Sequence, residues 1–526
     1  MHTLIIAIYF LYRKNSDGKG VLMSSEMITF ILYFVALMGV VIYFYIKDKQ
    51  RSQEDYFLGG RQMGPWVTAL SAQASDMSAW LLMGLPGSIL AFGFGQMWIG
   101  IGLALGTALN WILCARRLRV FSEEANDSIT IPQFLANRFD TDSKTLQTIC
   151  ACIFLFAYTI YVASAFVAGT TVFGTLFPGI STTLAMVIFA LLIVFYTIFG
   201  GFTAVCWTDF FQGMLMMIAL MAVPIAVVAS GTQLDTSLLS KVYEYTDANG
   251  ATVVCDFGSG LWSASLPDIL TGFAWGLGYF GMPHIIVRFM SIEKPSQIKK
   301  SSAIAITWVI ISLGAACLIA YMGRMLVADE LLPQGMQKLV FITMARKYFP
   351  PALSGLLLAA IIAASVSTAD SQLLVASSSF TSDLYAQFKK DVSEKEAVMV
   401  GRIVVVVIAV IAYLIASSKG AGAQAIMNLV ENAWGAFGAS FGPVIILSLF
   451  WREFNYKGAV AGIIAGFVVD LGWLFCGLSA STGIYELLPG FICGMIVAYV
   501  VAKVTPTLDK ERAVFDKARE RDALAD

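Results

Sequence analysis

The chain has 526 residues, of which 58% are hydrophobic and only 13% charged, about half the charged share of an average soluble chain. Lys and Arg total 34 against 35 Asp and Glu, so there is no basic field for a phosphate backbone and a nucleic-acid partner is excluded. Two histidines and eight scattered cysteines, none in a C-x-x-C spacing, give no reason to expect a disulfide framework or a zinc site.

In chain order, residues 1–27 come first and carry an apolar run of about ten residues, too short to span a bilayer. They read either as an over-extended start, with Met23 or Met27 the natural beginning, or as an extracellular tail. Thirteen apolar stretches follow, near 28–46, 66–91, 94–115, 146–176, 181–199, 206–230, 266–283, 302–323, 352–380, 403–418, 425–450, 458–476 and 485–504. Each is of the length that crosses about 30 Å of hydrocarbon. Numbering the connections alternately puts 25 of the 34 Lys and Arg residues on one side. Positive charge marks the cytoplasm, so the N-terminus is expected outside and the C-terminus inside, and an odd span count preserves the segregation. The loop 231–265 carries a turn signal at Asn249-Gly250, which points to a short surface hairpin. The tail 505–526 reads as a solvated, charged helix.

Three of these stretches are polar where polarity is expensive. ALSAQASDMSAWLLMGLPG, residues 69–87, starts as an apolar helix after Pro65, runs through Asp76, Met77 and Ser78, and resumes before Gly84, Pro86 and Gly87. Such residues at mid-span indicate a discontinuous helix, whose bare carbonyls suit a cation and whose half-helix amino ends suit an anionic group. GFAWGLGYFGMPH, residues 272–284, repeats the pattern with four glycines and a proline. Trp275, Tyr279 and Pro283 share one helical face there and offer aromatic walls for a small molecule. The two interruptions lie five spans apart, an odd number, which is the spacing of an inverted repeat with its site at the repeat interface. In SGLLLAAIIAASVSTADSQ, residues 354–372, about 100° per residue places Ala364, Ser367, Thr368 and Ser371 on one face. A face of hydroxyls and carbonyls without clustered carboxylates suits a monovalent hard cation. Asp76, Asp209 and Asp370, with Glu431 and Asp470 behind them, are the intramembrane acids to account for.

Seven segments in order carry a resemblance: DYFLGGR (55–61), TALSAQASDMSAWLLMGLPG (68–87), TIYVASAFVAG (159–169), IFGGFTAVCWTDFFQ (198–212), AWGLGYFGMPHIIVRFM (274–290), STADSQLLV (367–375) and GAFGASFGPV (435–444). Together they resemble the solute:sodium symporter family, and within it the branch that carries proline. The resemblance implies an all-α polytopic membrane protein of thirteen helices with a LeuT-type 5+5 inverted-repeat core. The extra first helix would be 28–46, the repeats 65–230 and 266–450, the two last helices 458–504, and the cytoplasmic tail 505–526. It implies Na+ held by the carbonyls of Ala74 and Met77 with Ala364, Ser367 and Thr368. Asp76 and Ser78 would serve coupling, and L-proline would bind among Trp80, Tyr161, Trp275, Tyr279 and Pro283. Asp209, Asp370 and Ser371 would form any second ion site, with one-sodium coupling expected. Three positions depart from the pattern: Ala79 stands for a glycine, Met282 for a glutamine and Asp370 for a serine.

The expected activity is electrogenic, sodium-coupled uptake of L-proline across a bacterial-type cytoplasmic membrane by alternating access. The same carrier serving a sugar, pantothenate or a short carboxylate, and more remotely a channel or sensor input domain, stay open at the level of sequence. No nucleophile–base pair, phosphate loop or metal cluster points to an enzyme.

Overall fold

A computed structural model describes residues 24–47, 52–177, 179–247, 250–258, 260–261, 264–389, 391–419 and 423–524. The expectations for residues 1–23 lie outside the described residues. Helix α1 (Ser25–Lys47) is apolar on every side, with Glu26 in its first turn and Lys47 in its last, the polarity the helix dipole favours. It buries only the stripe Phe30, Phe34, Leu37 and Val41, which leaves its other faces to lipid. α2 (Pro65–Met77) opens on a proline at its first turn and stops where Ser78 adopts φ 45°. A π-helical turn, Trp80–Gly84, leads into α3 (Leu85–Phe92). α3 ends at Gly93, where φ is 81° and a Cβ would lie 1.5 Å from the Phe257 carbonyl oxygen, so only glycine fits.

α4 (Met97–Leu109) and α5 (Ala115–Glu124) form one rod through a second π-helical turn, Asn110–Cys114. α6 (Thr145–Leu176) is followed by α7 (Thr182–Ala229). The sequence divides 181–230 into two spans. The structure runs them together as one helical element whose direction changes at Gly201, φ 61° and ψ 179°. The expected hairpin is present as β1 (Tyr243–Thr246) antiparallel to β2 (Thr252–Cys255), with Tyr243 opposite Cys255.

α8 (Leu266–Leu277) begins with a reciprocal Ser265–Asp268 capping box. It gives way to a short 3-10 turn, Gly278–Phe280, and restarts as α9 (Pro283–Ser291) after an extended Met282. α10 (Ile298–Leu331), α11 (Pro351–Ser379), α12 (Glu394–Lys419), α13 (Ala423–Phe450), α14 (Tyr456–Phe475) and α15 (Leu487–Val504) follow. Glycines seat α4 on α8: a Cβ on Gly102 would come within 1.9 Å of the Gly272 carbonyl, and one on Gly106 within 2.2 Å of the Gly276 carbonyl. Both pairs have the small-xxx-small spacing that lets membrane helices touch backbone to backbone.

Among the described residues ten helices are long and apolar enough to cross a membrane, three fewer than the apolar stretches in the sequence. The difference has a physical origin. The stretch 66–91 is broken at Ser78, 266–283 gives way after Leu277, and 181–199 shares one element with 206–230. The tail needs a correction. Residues Asp509–Leu524 do form a charged helix, α16, but Glu511, Phe515 and Ala518 are buried rather than solvated. Phe515 packs edge-on against Phe121 of α5 at 5.4 Å, and Arg521 pairs with Glu123 at 2.6 Å.

Candidate functional site

The site begins at the break in α2. A non-glycine residue at positive φ costs of order 1–3 kcal/mol, and Ser78 offsets part of this by accepting a hydrogen bond from the Trp80 amide at 3.1 Å. The last turn of any helix leaves carbonyls without an intrahelical partner. One carbonyl near this end, that of Ala74, meets the Ser367 hydroxyl of α11 at 2.8 Å. The same hydroxyl lies 3.1 Å from the Ala364 carbonyl. Next along α11, Thr368 is 1% exposed, and its hydroxyl has no hydrogen-bond partner among the described residues. Of the five residues expected around sodium, the structure thus gathers Ala74, Ala364 and Ser367 directly and puts Thr368 adjacent. Met77 turns to the cavity described next.

That cavity, about 240 Å³, lies between the two breaks. Asp76, Met77, Ser78 and Trp80 line it from the first broken helix, Trp275 and Tyr279 from the second, and Tyr161 from α6. All seven are buried. The Tyr279 hydroxyl donates to Asp76 Oδ2 at 2.6 Å. The Trp80 and Trp275 rings stack at 5.7 Å, and Trp275 stacks in turn on Tyr485 at 5.2 Å. At these separations the rings touch one another, so the cavity is closed on that flank. Pro283 is buried as the first residue of α9 but is not among the cavity-lining residues.

Sequence reasoning missed Trp434, Leu103 and Val430, which also line the cavity. Trp434 donates from Nε1 to the Trp275 carbonyl at 2.9 Å and sits edge-on to Tyr279 at 5.1 Å. Nothing local marks it, because Trp434 stands in a stretch that also holds Phe437 and Phe441. It also missed Arg288. Charge counting assigns this residue to a cytoplasmic connection, but α9 continues the second broken span and carries Arg288 into the interior, where it is 1% exposed. The guanidinium donates to Asp209 at 3.2 Å, to Ser71 at 3.1 Å, to Ser371 and to the His284 carbonyl. Ser71 also donates to Asp209 at 2.7 Å. Ser371 lies 3.4 Å from Asp370. The residues expected for a second ion are therefore brought together, with an arginine among them. Asp209 Oδ1 and Asp370 Oδ2 have no hydrogen-bond partner among the described residues. Glu431 and Asp470 lie apart from this group, near Glu486: a Cβ on Gly435 would meet Asp470 at 2.7 Å and Glu486 at 3.4 Å, and Tyr485 donates to the Glu431 carbonyl at 2.6 Å.

The profile of the sodium:solute symporter family matches residues 56–466. The chain belongs to this family. Among similar proteins, sodium/proline symporter 2 of Staphylococcus saprophyticus is 40% identical over 490 residues, 91% of this chain and 92% of that relative. The sodium/proline symporter of Staphylococcus aureus is 40% identical over 487 residues, 90% and 91% of the two chains. Among solved structures, a Na+-coupled sialic acid symporter in a substrate-bound, outward-open state superposes with a TM-score of 0.70 at 20% identity, covering 92% of this chain and 99% of that one. MhsT in complex with L-phenylalanine gives 0.50 at 14% identity, covering 84% and 98%. These structural likenesses establish the fold alone: a mostly helical, multi-pass membrane protein of the LeuT type.

Proposed function

We propose that this symporter couples the inward movement of Na+ to the uptake of L-proline across the cytoplasmic membrane by alternating access. The observation that carries the reading is the meeting of two interrupted helices around one small aromatic cavity, with the Ser367 hydroxyl against the Ala74 carbonyl. Two relatives bearing the name sodium/proline symporter at 40% identity support the choice of solute. Sodium is taken by the carbonyls of Ala74, Met77 and Ala364 with the hydroxyls of Ser367 and Thr368. Proline lies among Trp80, Tyr161, Trp275 and Tyr279, its carboxylate toward the half-helix amino end that follows the break at Ser78. Pro283 contributes by opening α9. An ion that joins α2 to α11 favours the arrangement that proline also favours, and this shared preference is the coupling.

In this reading the spans number thirteen: the ten long helices, the second span inside α7, and the two broken helices. They comprise a first helix, two five-helix inverted repeats over 65–230 and 266–450, and two further helices, with the N-terminus outside and the C-terminus inside. The protein is a carrier and not an enzyme. Arg288 supplies a fixed positive charge beside Asp209, Asp370 and Ser371, which supports one-sodium coupling.

The test is uptake of labelled proline into proteoliposomes. An inward sodium gradient accelerates it over an equal potassium gradient, and unlabelled proline competes better than a sugar, pantothenate or a short carboxylate. Uptake indifferent to sodium, or stronger competition by another solute, overturns the assignment.

A further inference from the structure

Pro283 begins α9 and, as a proline, has no backbone N–H. In an unbroken α-helix the N–H of each residue bonds the carbonyl four positions earlier, so this proline leaves the Tyr279 carbonyl without its helical donor. The donor comes from another helix. Asn110 Nδ2 donates to the Tyr279 carbonyl at 3.0 Å, across 169 positions of the chain. Asn110 is 1% exposed, and at such depth an amide or a carbonyl left bare is costly.

The glycine seam delivers this side chain. Gly102 packs on Gly272 and Gly106 on Gly276, and Asn110 is the next residue at the same four-residue step along α4. An unbroken α8 would set Phe280 opposite it. Because α8 ends at Leu277 and the chain tightens into the Gly278–Phe280 turn, Tyr279 presents its carbonyl there instead. On its own helix Asn110 opens the π-helical turn Asn110–Cys114, a local widening that recurs at functional sites. Asn110 does not line the cavity. It holds the backbone of a residue that does, and whose hydroxyl reaches Asp76 at 2.6 Å.

We infer that Asn110 is a positioning residue for the solute: it replaces the N–H that Pro283 lacks, fixes the peptide of Tyr279, and so sets where the tyrosine ring and hydroxyl stand when proline binds. The inference rests on the proline reading and deepens it. An apolar side chain of similar size leaves the carbonyl bare, and the turn is then free to carry the ring out of place. The sodium ligands proposed on α2 and α11 stand on other elements and do not depend on this contact.

The experiment measures proline binding to the purified full-length protein at saturating sodium, and sodium binding without proline. Asn110→Leu and Asn110→Ala are each expected to weaken proline about tenfold, the scale of one lost buried hydrogen bond. Asn110→Gln keeps the amide and stays within about threefold of the unaltered protein, and sodium affinity moves less than about twofold in all three. The decisive arm combines Asn110→Leu with Tyr279→Phe, because Asn110 acts through Tyr279. The double variant is expected within about threefold of the weaker single variant, since the two losses overlap. Losses that multiply overturn the inference, as the asparagine then acts on its own. Proline affinity within about twofold of the unaltered protein in both the Leu and Ala variants, or an equal loss of sodium affinity, also overturns it. If Asn110→Leu fails to fold, Asn110→Ala carries the cycle. Absence of any proline binding by the unaltered protein instead refutes the proline reading itself.

Discussion

Tyr279 donates a hydrogen bond to Asp76 at 2.6 Å, joining two residues 203 positions apart in the chain. Each stands beside the interruption of its own broken helix, so this contact joins the two broken helices at the wall of the cavity. Hydrogen bonds to charged groups contribute roughly 1.5–3 kcal/mol. Tyr279→Phe is therefore expected to weaken proline binding about tenfold or more while the protein stays folded. Equilibrium binding to the purified variant checks this, and an unchanged affinity would show that the contact is incidental.

The hydroxyl face of α11 gives a second expectation. Ser367 holds the Ala74 carbonyl at 2.8 Å, and Thr368 keeps a buried hydroxyl without a protein partner among the described residues. Ser367→Ala and Thr368→Ala are each expected to raise the sodium concentration for half-maximal proline uptake by about tenfold, with the rank order of competing solutes preserved. If instead solute selectivity shifts and sodium dependence does not, that face belongs to the solute.

Arg288 makes the inner network a matter of stability. Removing one partner of a buried ion pair typically costs about 3–5 kcal/mol, and Arg288 and Asp209 are both almost fully buried. Arg288→Met should lower the thermal stability of the detergent-purified protein sharply. The double change Arg288→Met with Asp209→Asn should recover part of the loss, because the carboxylate that Arg288 pairs with is then neutral while Asp370 remains. Additive losses in this cycle would mean that the two side chains do not depend on each other.

The glycine seam between α4 and α8 tolerates no side chain. A Cβ on Gly106 would come within 2.2 Å of the Gly276 carbonyl, and overpacking of this kind costs about 1–3 kcal/mol even where neighbours can shift. Gly106→Ala should lower the melting temperature, whereas Gly314→Ala, with open space around it, should not. Equal melting temperatures for the two variants would contradict the packing described.

The breaks in the two special helices were readable because their cause is local. Ser78 sits in a run of small and polar residues, and Gly278 and Gly281 flank Tyr279. The hydroxyl stripe on α11 was readable for the same reason: a helix fixes which residues share a face. Trp434 and Arg288 were not, because their roles arise only when distant helices pack. Trp434 matters through the Trp275 carbonyl, 159 positions away, and Arg288 through Asp209, 79 positions away. Pro283 lies on the predicted face of an unbroken helix, but the interruption before it turns that face away from the cavity lining. The tail misled composition because one side of its helix docks: Phe515 packs on Phe121, and Arg521 pairs with Glu123 and Glu124 of α5.

One relationship is central to the proposed mechanism: sodium at the α2–α11 contact and solute at the broken helices are proposed to stabilise the same arrangement. The direct measurement is the proline dissociation constant of the purified protein as a function of sodium, paired with the sodium dissociation constant as a function of proline. Linkage requires each ligand to tighten the other by the same factor, and a factor of about 5–150 is typical of coupled sites. The account predicts equal, reciprocal tightening within that range. Proline affinity independent of sodium would contradict it.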